Sequence, residues 1–394
     1  MSKLRIGVIY GSRSVEHEVS VITALQAMAA LDSNRYEVIP LFLTKEGKWL
    51  TGDALRKLDT YQATSKARKS LTRAWLSPVP GQGALQSGER SRFLPFGGGP
   101  DKLAIDVAFP CVHGTFGEDG TLQGLLELAD VPYVGPGVLA AALGMDKLAM
   151  KAVFRSAGLP IVDWVMARRD EWTAEPDRVI ERVEQHIGYP AFVKPANLGS
   201  SVGISKATDR DTLRQALEVA SHFDRRLLVE KGLDGAVDIQ CAVLGRDGNL
   251  KVSVCEQPVS WESFYSYDEK YIRGGKTQGM KGATRRIPAP ISEKLTQEIQ
   301  CYAMEAFQAI DSAGVARIDC LLTPDEQVYV NEINTIPGSL SFYLWEATDL
   351  PFRSLLDELI EIALARHAER KQTTFSIDSA LLRKTLEGSG KARR

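Results

Sequence analysis

The chain opens with a nearly unbroken apolar run, Leu4 to Tyr10, that stops at Gly11. Helical spacing from Val19 to Leu31 and a second apolar run from Tyr36 to Leu43 follow. Runs of this kind read as strands buried on both faces. Strand–helix–strand order then argues for an open, parallel α/β sheet. Residues 105–110 repeat the pattern, ending in the loop His113-Gly-Thr-Phe-Gly-Glu-Asp-Gly120 and a helix from Thr121 to Ala129. Ligands of open α/β sheets gather at such strand ends.

The 394 residues favour two or three domains. Residues 51–104 are rich in Gly, Pro, Ser and Lys/Arg and read as an elaborated insertion, partly strand. After Pro136 one helix is expected through Met145-Asp-Lys147 to Ser156, stopped by Gly158 and Pro160. Beyond it, short strands are expected at 161–166, 191–194 and 227–231, with helices near 176–187 and 211–222. Strands near 237–244 and 250–256 precede a long loop, 261–288. A helix (292–310), two strands (316–322 and 328–333) and a helix (353–370) complete the pattern. The expected division is 1–143, 144–229 and 230–370, with a frayed tail at 371–394.

Bulk properties exclude several classes. The formal charge is −2, which gives no global attraction to nucleic acid or to a membrane surface. The N-terminal apolar run is too short for a secretory signal, and no stretch reaches the length of a membrane helix. The five cysteines are widely spaced and form no CxxC pair. They read as small buried hydrophobes in a reducing compartment, so a cytoplasmic location is expected.

Arg317-Ile-Asp319 and Asn331-Glu332-Ile-Asn334 carry the strongest chemistry. Alternation puts Arg317 and Asp319 on one strand face, and Glu332 and Asn334 on another. If the strands pair, two carboxylates and an amide oxygen converge, a hard-oxygen set that suits Mg²⁺ bound partly through phosphates. A solvated hairpin with a routine salt bridge is the simpler account. Apolar Ile318, Cys320, Val330 and Ile333 weigh against it, because unpaired carboxylates on half-buried strands are costly.

Other segments are weaker alone. In Lys194-Pro-Ala-Asn-Leu-Gly-Ser-Ser-Val-Gly203 a strand ends in a lysine and a Gly/Ser loop, whose N–H groups can cradle phosphate; an ordinary turn is the alternative. It is not a Walker A loop. Nor is Gly275-Lys276-Thr277, whose required upstream glycine is Lys270. Glu230-Lys231-Gly-Leu233 ends a strand at which backbone groups can meet a nucleobase. Residues 270–286 carry six basic residues and no acid, which suits a mobile lid over phosphates or a solvated loop. Gly11 to Ser20 opens a helix whose N-terminus attracts anions, with Glu16 and Glu18 as possible dipole partners. His113 is either a ligand contact or a satisfied loop histidine.

In their order, GSRSVEHEVS, HGTFGEDG, GMDK, VKPANLGSSVG, VEKGL, EKY, RID and NEINTIPG resemble the ATP-grasp superfamily and, within it, the D-alanine–D-alanine ligases. The resemblance runs from Arg5 to about residue 365, apart from 51–104 and details of the long loop. It implies a three-domain α/β fold: an open parallel N-terminal domain and two α+β domains gripping ATP. Lys147, Lys194, Lys270 and the loop Ser200, Ser201, Val202, Gly203 would contact phosphates. Glu230, Lys231 and Leu233 would line the adenine pocket, with Asp238 near the ribose in place of the usual glutamate. Asp319, Glu332 and Asn334 would hold two Mg²⁺ (or Mn²⁺) ions. Glu16 would bind the ammonium of the first D-alanine and His113 would sit beside its carboxylate. Arg317 and the Gly338 N–H would stabilise the tetrahedral oxyanion. A Glu16–Ser200–Tyr271 chain would close the lid, and Tyr271 favours a dipeptide over a depsipeptide product. Ser341 and Tyr343 would flank the second substrate. Tyr343 stands where the family commonly has a serine, so a related ligase joining other small amino acids is the alternative. A nucleotide-binding protein without turnover is a third reading, opposed by the intact Arg317, Asp319, Glu332 and Asn334. A homodimer is the family's assembly.

Overall fold

The computed structural model describes residues 3–62, 66–80, 84–87, 101–258, 285–377 and 379. Lys270, Tyr271 and most of the expected lid loop lie outside the described residues.

The first sheet has β1 (Leu4–Gly11) at its centre, parallel to β2 (Tyr36–Leu43) on one side and to β7 (Val107–Pro110) on the other. Residues 6–11 are buried throughout, as covering both faces of a central parallel strand requires. Helix α1 (His17–Ala30) makes the crossover. The insertion extends this sheet with antiparallel β3 (Trp49–Thr51) and β4 (Thr72–Ala74), and adds a separate hairpin, β5 (Ala84–Ser87) with β6 (Asp101–Ala104). The strand expected from Ile105 begins at Val107. Asp106 turns back to Arg5, accepting from its backbone N–H at 2.8 Å and from its guanidinium at 2.6 and 3.0 Å.

After α2 (Thr121–Leu128), the single helix expected through Met145 is two: α3 (Val138–Met145) and α4 (Lys147–Ser156). Asp146 breaks it. Its backbone is extended, and its carboxylate caps α4 by accepting the Ala149 N–H at 3.0 Å. The second sheet is antiparallel, in the order β10 (Ser205–Ala207), β9 (Ala191–Pro195), β11 (Arg226–Lys231), β8 (Trp164–Arg168). Helices α5 (Arg169–Ala174), α6 (Pro176–His186) and α7 (Arg210–Phe223) cover one face, against Val193, Leu227 and Val229. Period-two alternation turns Phe192, Lys194, Leu228 and Glu230 to the other face.

The third sheet runs β13 (Asn249–Val252), β12 (Val237–Arg246), β16 (Ala313–Leu322), β17 (Val328–Asn334), all antiparallel. A short ladder, β14 (Gln257–Pro258) with β15 (Arg285–Arg286), stands beside it. Helix α8 (Glu293–Ala309) packs Ile299, Ala303 and Phe307 on Ile239, Cys241, Ile318 and Val330. Ala242, Leu244 and Val315 instead join a core with Ile6, Val8, Phe109 and residues of α9 (Phe342–Glu346) and α10 (Phe352–Arg370). The first and third sheets therefore share apolar packing through the C-terminal helix, although Pro110, which ends the first, and Val237, which begins the third, are 127 positions apart. Cys111, Cys241, Cys255 and Cys320 are buried and Cys301 is exposed, all as free thiols. Among the described residues no helix is long and apolar enough to cross a membrane.

Candidate active site

The three sheets enclose a cavity of about 870 Å³. Its floor is the β16–β17 pair. Arg317 lies opposite Asn334 and Asp319 opposite Glu332, so all four share one face, as the alternation predicts. A register shift after Asp319 displaces Asn331 from the ladder and ends this alignment. Asp319 is 5% exposed. It accepts Arg317 Nε at 2.7 Å and Nη2 at 2.8 Å, and the Asn334 amide at 3.2 Å. Burial disfavours the Arg317 charge, but Asp319 more than restores it and holds the guanidinium well above its ordinary pKa. Lys147 Nζ stands 3.6 Å from Glu332 Oε2. Asp319, Glu332 and Asn334 offer hard oxygens from neighbouring positions. That set fits a divalent cation whose remaining positions are filled by phosphates and water.

The opposite wall comes from the first two sheets. Ser200 and Ser201 take left-handed backbone conformations, φ 54° and 59°, which curl the loop so that the Ser200 hydroxyl donates to the buried Glu16 carboxylate. Gly199 leaves room here, because a Cβ would lie 2.9 Å from Glu16 Oε2 and the carboxylate would have to shift. Of the expected Glu16–Ser200–Tyr271 chain, the first link is present and the second lies outside the described residues. Lys147 Nζ donates to Leu198 O at 3.0 Å, and its backbone N–H to Ala196 O at 2.9 Å, so the break at Asp146 ties α4 to the loop. Leu198, Gly199, Ser200 and Ser201 line the cavity, whereas Val202 and Gly203 do not.

Glu230 is 2% exposed and held between two lysines: Lys151 Nζ at 3.0 Å and Lys194 Nζ. Burial pushes its carboxyl up, and the two ammonium groups override this, holding it at about 2. Lys231, Leu233 and Asp238 also line the cavity.

Both ring nitrogens of His113 are used inside the protein. Nδ1 meets Ile336 O at 2.8 Å, and a carbonyl only accepts, so Nδ1 carries the proton. Nε2 then accepts from Thr23 Oγ1 at 2.7 Å, and Thr23 in turn accepts the Ser339 N–H at 3.0 Å. Burial lowers the His113 pKa and keeps the ring neutral. The satisfied-histidine alternative describes these nitrogens, and His113 also lines the cavity. Ser339, Leu340 and Ser341 are successive left-handed residues, which turn the chain sharply after Gly338. Gly338 and Tyr343 line the cavity. Ser341, expected beside the second substrate, does not: the turn aims it inward and it is fully buried.

Two family models cover most of the chain: D-ala D-ala ligase N-terminus over residues 5–136 and D-ala D-ala ligase C-terminus over 153–361. A D-alanine--D-alanine ligase of Bacillus cytotoxicus is 42% identical over 382 residues, 96% of this chain and 100% of the relative. The chain belongs to the D-Ala D-Ala ligase family. Another member, from Chloroherpeton thalassium, is 42% identical over 94% of this chain and 99% of its own. The D-alanine-D-alanine ligase structure from Coxiella burnetii superposes with a TM-score of 0.75 at 33% identity, covering 94% of this chain and 98% of that one. A D-Ala:D-Ser ligase from Enterococcus faecalis gives 0.77 at 29% identity, covering 92% and 100%. The three-sheet architecture is thus the ATP-grasp fold of this ligase family.

Four residues of this ligase-family site escaped the sequence reading. Glu118 accepts the Gly114 N–H and the Ile336 N–H, each at 2.8 Å, clamping the His113 loop to the loop before Gly338. Burial and the nearby Glu16 charge push its carboxyl up to about 8, against those two N–H groups. Lys151 lies on a helix of ordinary amphipathic pattern. Glu256 and Thr23 sit in apolar segments. The only signal open to sequence was polarity inside an otherwise apolar run.

Proposed function

We propose that this chain joins two D-alanines into D-alanyl-D-alanine with ATP, through an acyl phosphate, as a step in peptidoglycan precursor and cell-wall synthesis. The supporting observation is that, in a member of this family, the Arg317–Asp319–Glu332–Asn334 face lies across one cavity from the Glu16–Ser200 pair. In this reading the three sheets are three domains divided near 143 and 230. Lys147, Lys194 and Lys270, with the Ser200–Gly203 loop, hold the phosphates. Lys194 has three N–H donors and Glu230 takes one, so two are left for phosphate oxygens. Glu230, Lys231 and Leu233 edge the adenine, and Asp238 the ribose. Asp319, Glu332 and Asn334 hold two Mg²⁺ or Mn²⁺ ions, which neutralise phosphate charge when bound.

Glu16 takes the ammonium of the first D-alanine, whose carboxylate oxygen attacks the γ-phosphorus and releases ADP. The amine of the second D-alanine attacks the resulting carbonyl, and phosphate leaves. Arg317 and the Gly338 N–H face the oxyanion, where preorganised donors act most strongly. An acyl phosphate hydrolyses readily, so a lid over residues 261–288 that excludes water, closed through Tyr271, fits the chemistry. A cytoplasmic enzyme supplied with ATP and D-alanine follows, assembled as the homodimer the family resemblance implies.

The test is ADP release with ATP and Mg²⁺, comparing D-alanine, L-alanine, D-serine, D-lactate and no amino acid. The expected outcome is turnover with D-alanine alone and a D-Ala-D-Ala mass. Turnover only when a different amino acid is added would keep the ATP chemistry and overturn the product.

A further inference from the structure

One cluster on the cavity wall has no part in the steps above. Glu256, just before β14, Arg285 of β15 and Tyr343 of α9 all line the cavity. Glu256 is 1% exposed. Its oxygens accept the Tyr343 hydroxyl at 2.8 Å and Arg285 Nη1 at 3.2 and 3.4 Å. The Arg285 guanidinium lies over the Tyr343 ring, 3.9 Å from its centre, a cation–π contact that fixes the plane of the fork.

Their position follows from the sheet. Glu332 pairs with Asp319, Asp319 with Gln240, and Gln240 bridges to Glu256, so these four residues form one row across the sheet. Strand spacing of about 4.8 Å puts the Glu256 backbone about 10 Å from that of Asp319. The phosphoryl-transfer end of the row is Glu332–Asp319. An amine attacking an acyl carbon beside Arg317 approaches from the other end, and its own carboxylate trails toward Glu256 and Arg285.

Tyr343 cannot receive that carboxylate through its hydroxyl. The group has one proton, already donated to Glu256, which only accepts. Arg285 can. Nη1 serves Glu256, whereas Nε is buried and has no hydrogen-bond partner among the described residues. A buried N–H without a partner is costly, and the Nε edge of a guanidinium is shaped for two parallel bonds to a carboxylate.

We propose that Arg285, oriented by Glu256 and Tyr343, binds the α-carboxylate of the second amino acid. This rests on the ligase reading above. It gives the carboxylate contact to a guanidinium, and leaves a neutral or amidated acceptor with nothing to satisfy the Arg285 Nε–H.

The experiment is a competition in one tube: ATP, Mg²⁺, D-alanine and an equal concentration of D-alaninamide, which can act only as acceptor. The ratio of D-Ala-D-Ala to D-Ala-D-Ala amide is read by mass. The unaltered enzyme should favour the free acid strongly. R285Q should reduce that ratio at least tenfold, and R285K, which keeps the charge without the fork, should fall between them. A merely structural Arg285 would lower both products together and leave the ratio unchanged, which overturns the proposal. So does an unaltered enzyme that uses both acceptors equally, a result that needs no variant to fold. Hydroxylamine added with D-alanine traps the acyl phosphate as a hydroxamate. Hydroxamate without acid preference overturns the role of Arg285 alone; absence of both hydroxamate and dipeptide overturns the ligase reading beneath it.

Discussion

Glu230→Gln removes the carboxylate that buried Lys151 and half-buried Lys194 share. Lys151 is 1% exposed and its Nζ lies 3.0 Å from Glu230. Breaking a buried pair by removing one partner costs about 3–5 kcal/mol, because the surviving charge is left uncompensated. The depressed carboxyl gives a similar figure. A carboxyl held at about 2 in the folded chain, against 4.5 ordinarily, contributes about 3 kcal/mol at neutral pH. Since the folded value is the depressed one, that contribution is complete above pH 4.5 and is lost as pH falls toward 2. Lys151→Met makes the instructive contrast. It removes one of the two ammonium groups, and the other, Lys194, continues to pair with Glu230. A Met of similar length fills the space, so the expected cost is within about 1 kcal/mol. Hydrogen exchange of the β9 and β11 amides reports local opening of this sheet. About 3 kcal/mol corresponds to roughly 150-fold faster exchange in Glu230→Gln. Lys151→Met should stay within about fivefold of the parent. Equal protection in the two variants would refute the view that Glu230 is the hub and the lysines are its dependants.

Other outcomes are expected at the site itself. Glu332→Gln should sharply reduce turnover at limiting Mg²⁺ and recover part of it at high Mg²⁺; unchanged activity at limiting Mg²⁺ would remove Glu332 from the metal face. Ser200→Ala deletes a hydrogen bond to a charged group, worth about 1.5–3 kcal/mol, so kcat/KM for dipeptide formation should fall roughly 10- to 150-fold. Intact kcat/KM would count against the Glu16–Ser200 link as part of the working site. Tyr271→Phe should weaken dipeptide formation more than ATP binding, as measured by nucleotide titration beside product formation; equal losses contradict the lid role.

Much of this protein is legible in its sequence. The run at Leu4–Gly11 announced a central parallel strand because covering both faces leaves no polar positions. Arg317, Asp319, Glu332 and Asn334 could be grouped because their apolar neighbours fixed the side of each strand that is buried, and the register then placed them opposite one another. The Lys194–Gly203 loop was visible as a strand end followed by small residues, and Glu16 as a charge at a helix start.

What the sequence by itself determined was local: which residues alternate, which faces are apolar, where chains turn. Partners distant in the chain were settled only by tertiary packing. Asp146 breaks an apparently continuous helix because its carboxylate caps α4 while the Lys147 N–H bonds to Ala196 O, and helical periodicity is blind to both competitors. Ser341 is buried off the cavity lining because left-handed Ser339 and Leu340, with Ser341 itself, turn the chain sharply after Gly338. Lys151 gave no sign that it meets Glu230, nor Tyr343 that its hydroxyl is spent on Glu256. Periodicity reports that a side chain is buried, but the charge or carbonyl it meets depends on how separate sheets come together. In this fold the answer lies at their junction, where the first and third sheets share a core through the C-terminal helix.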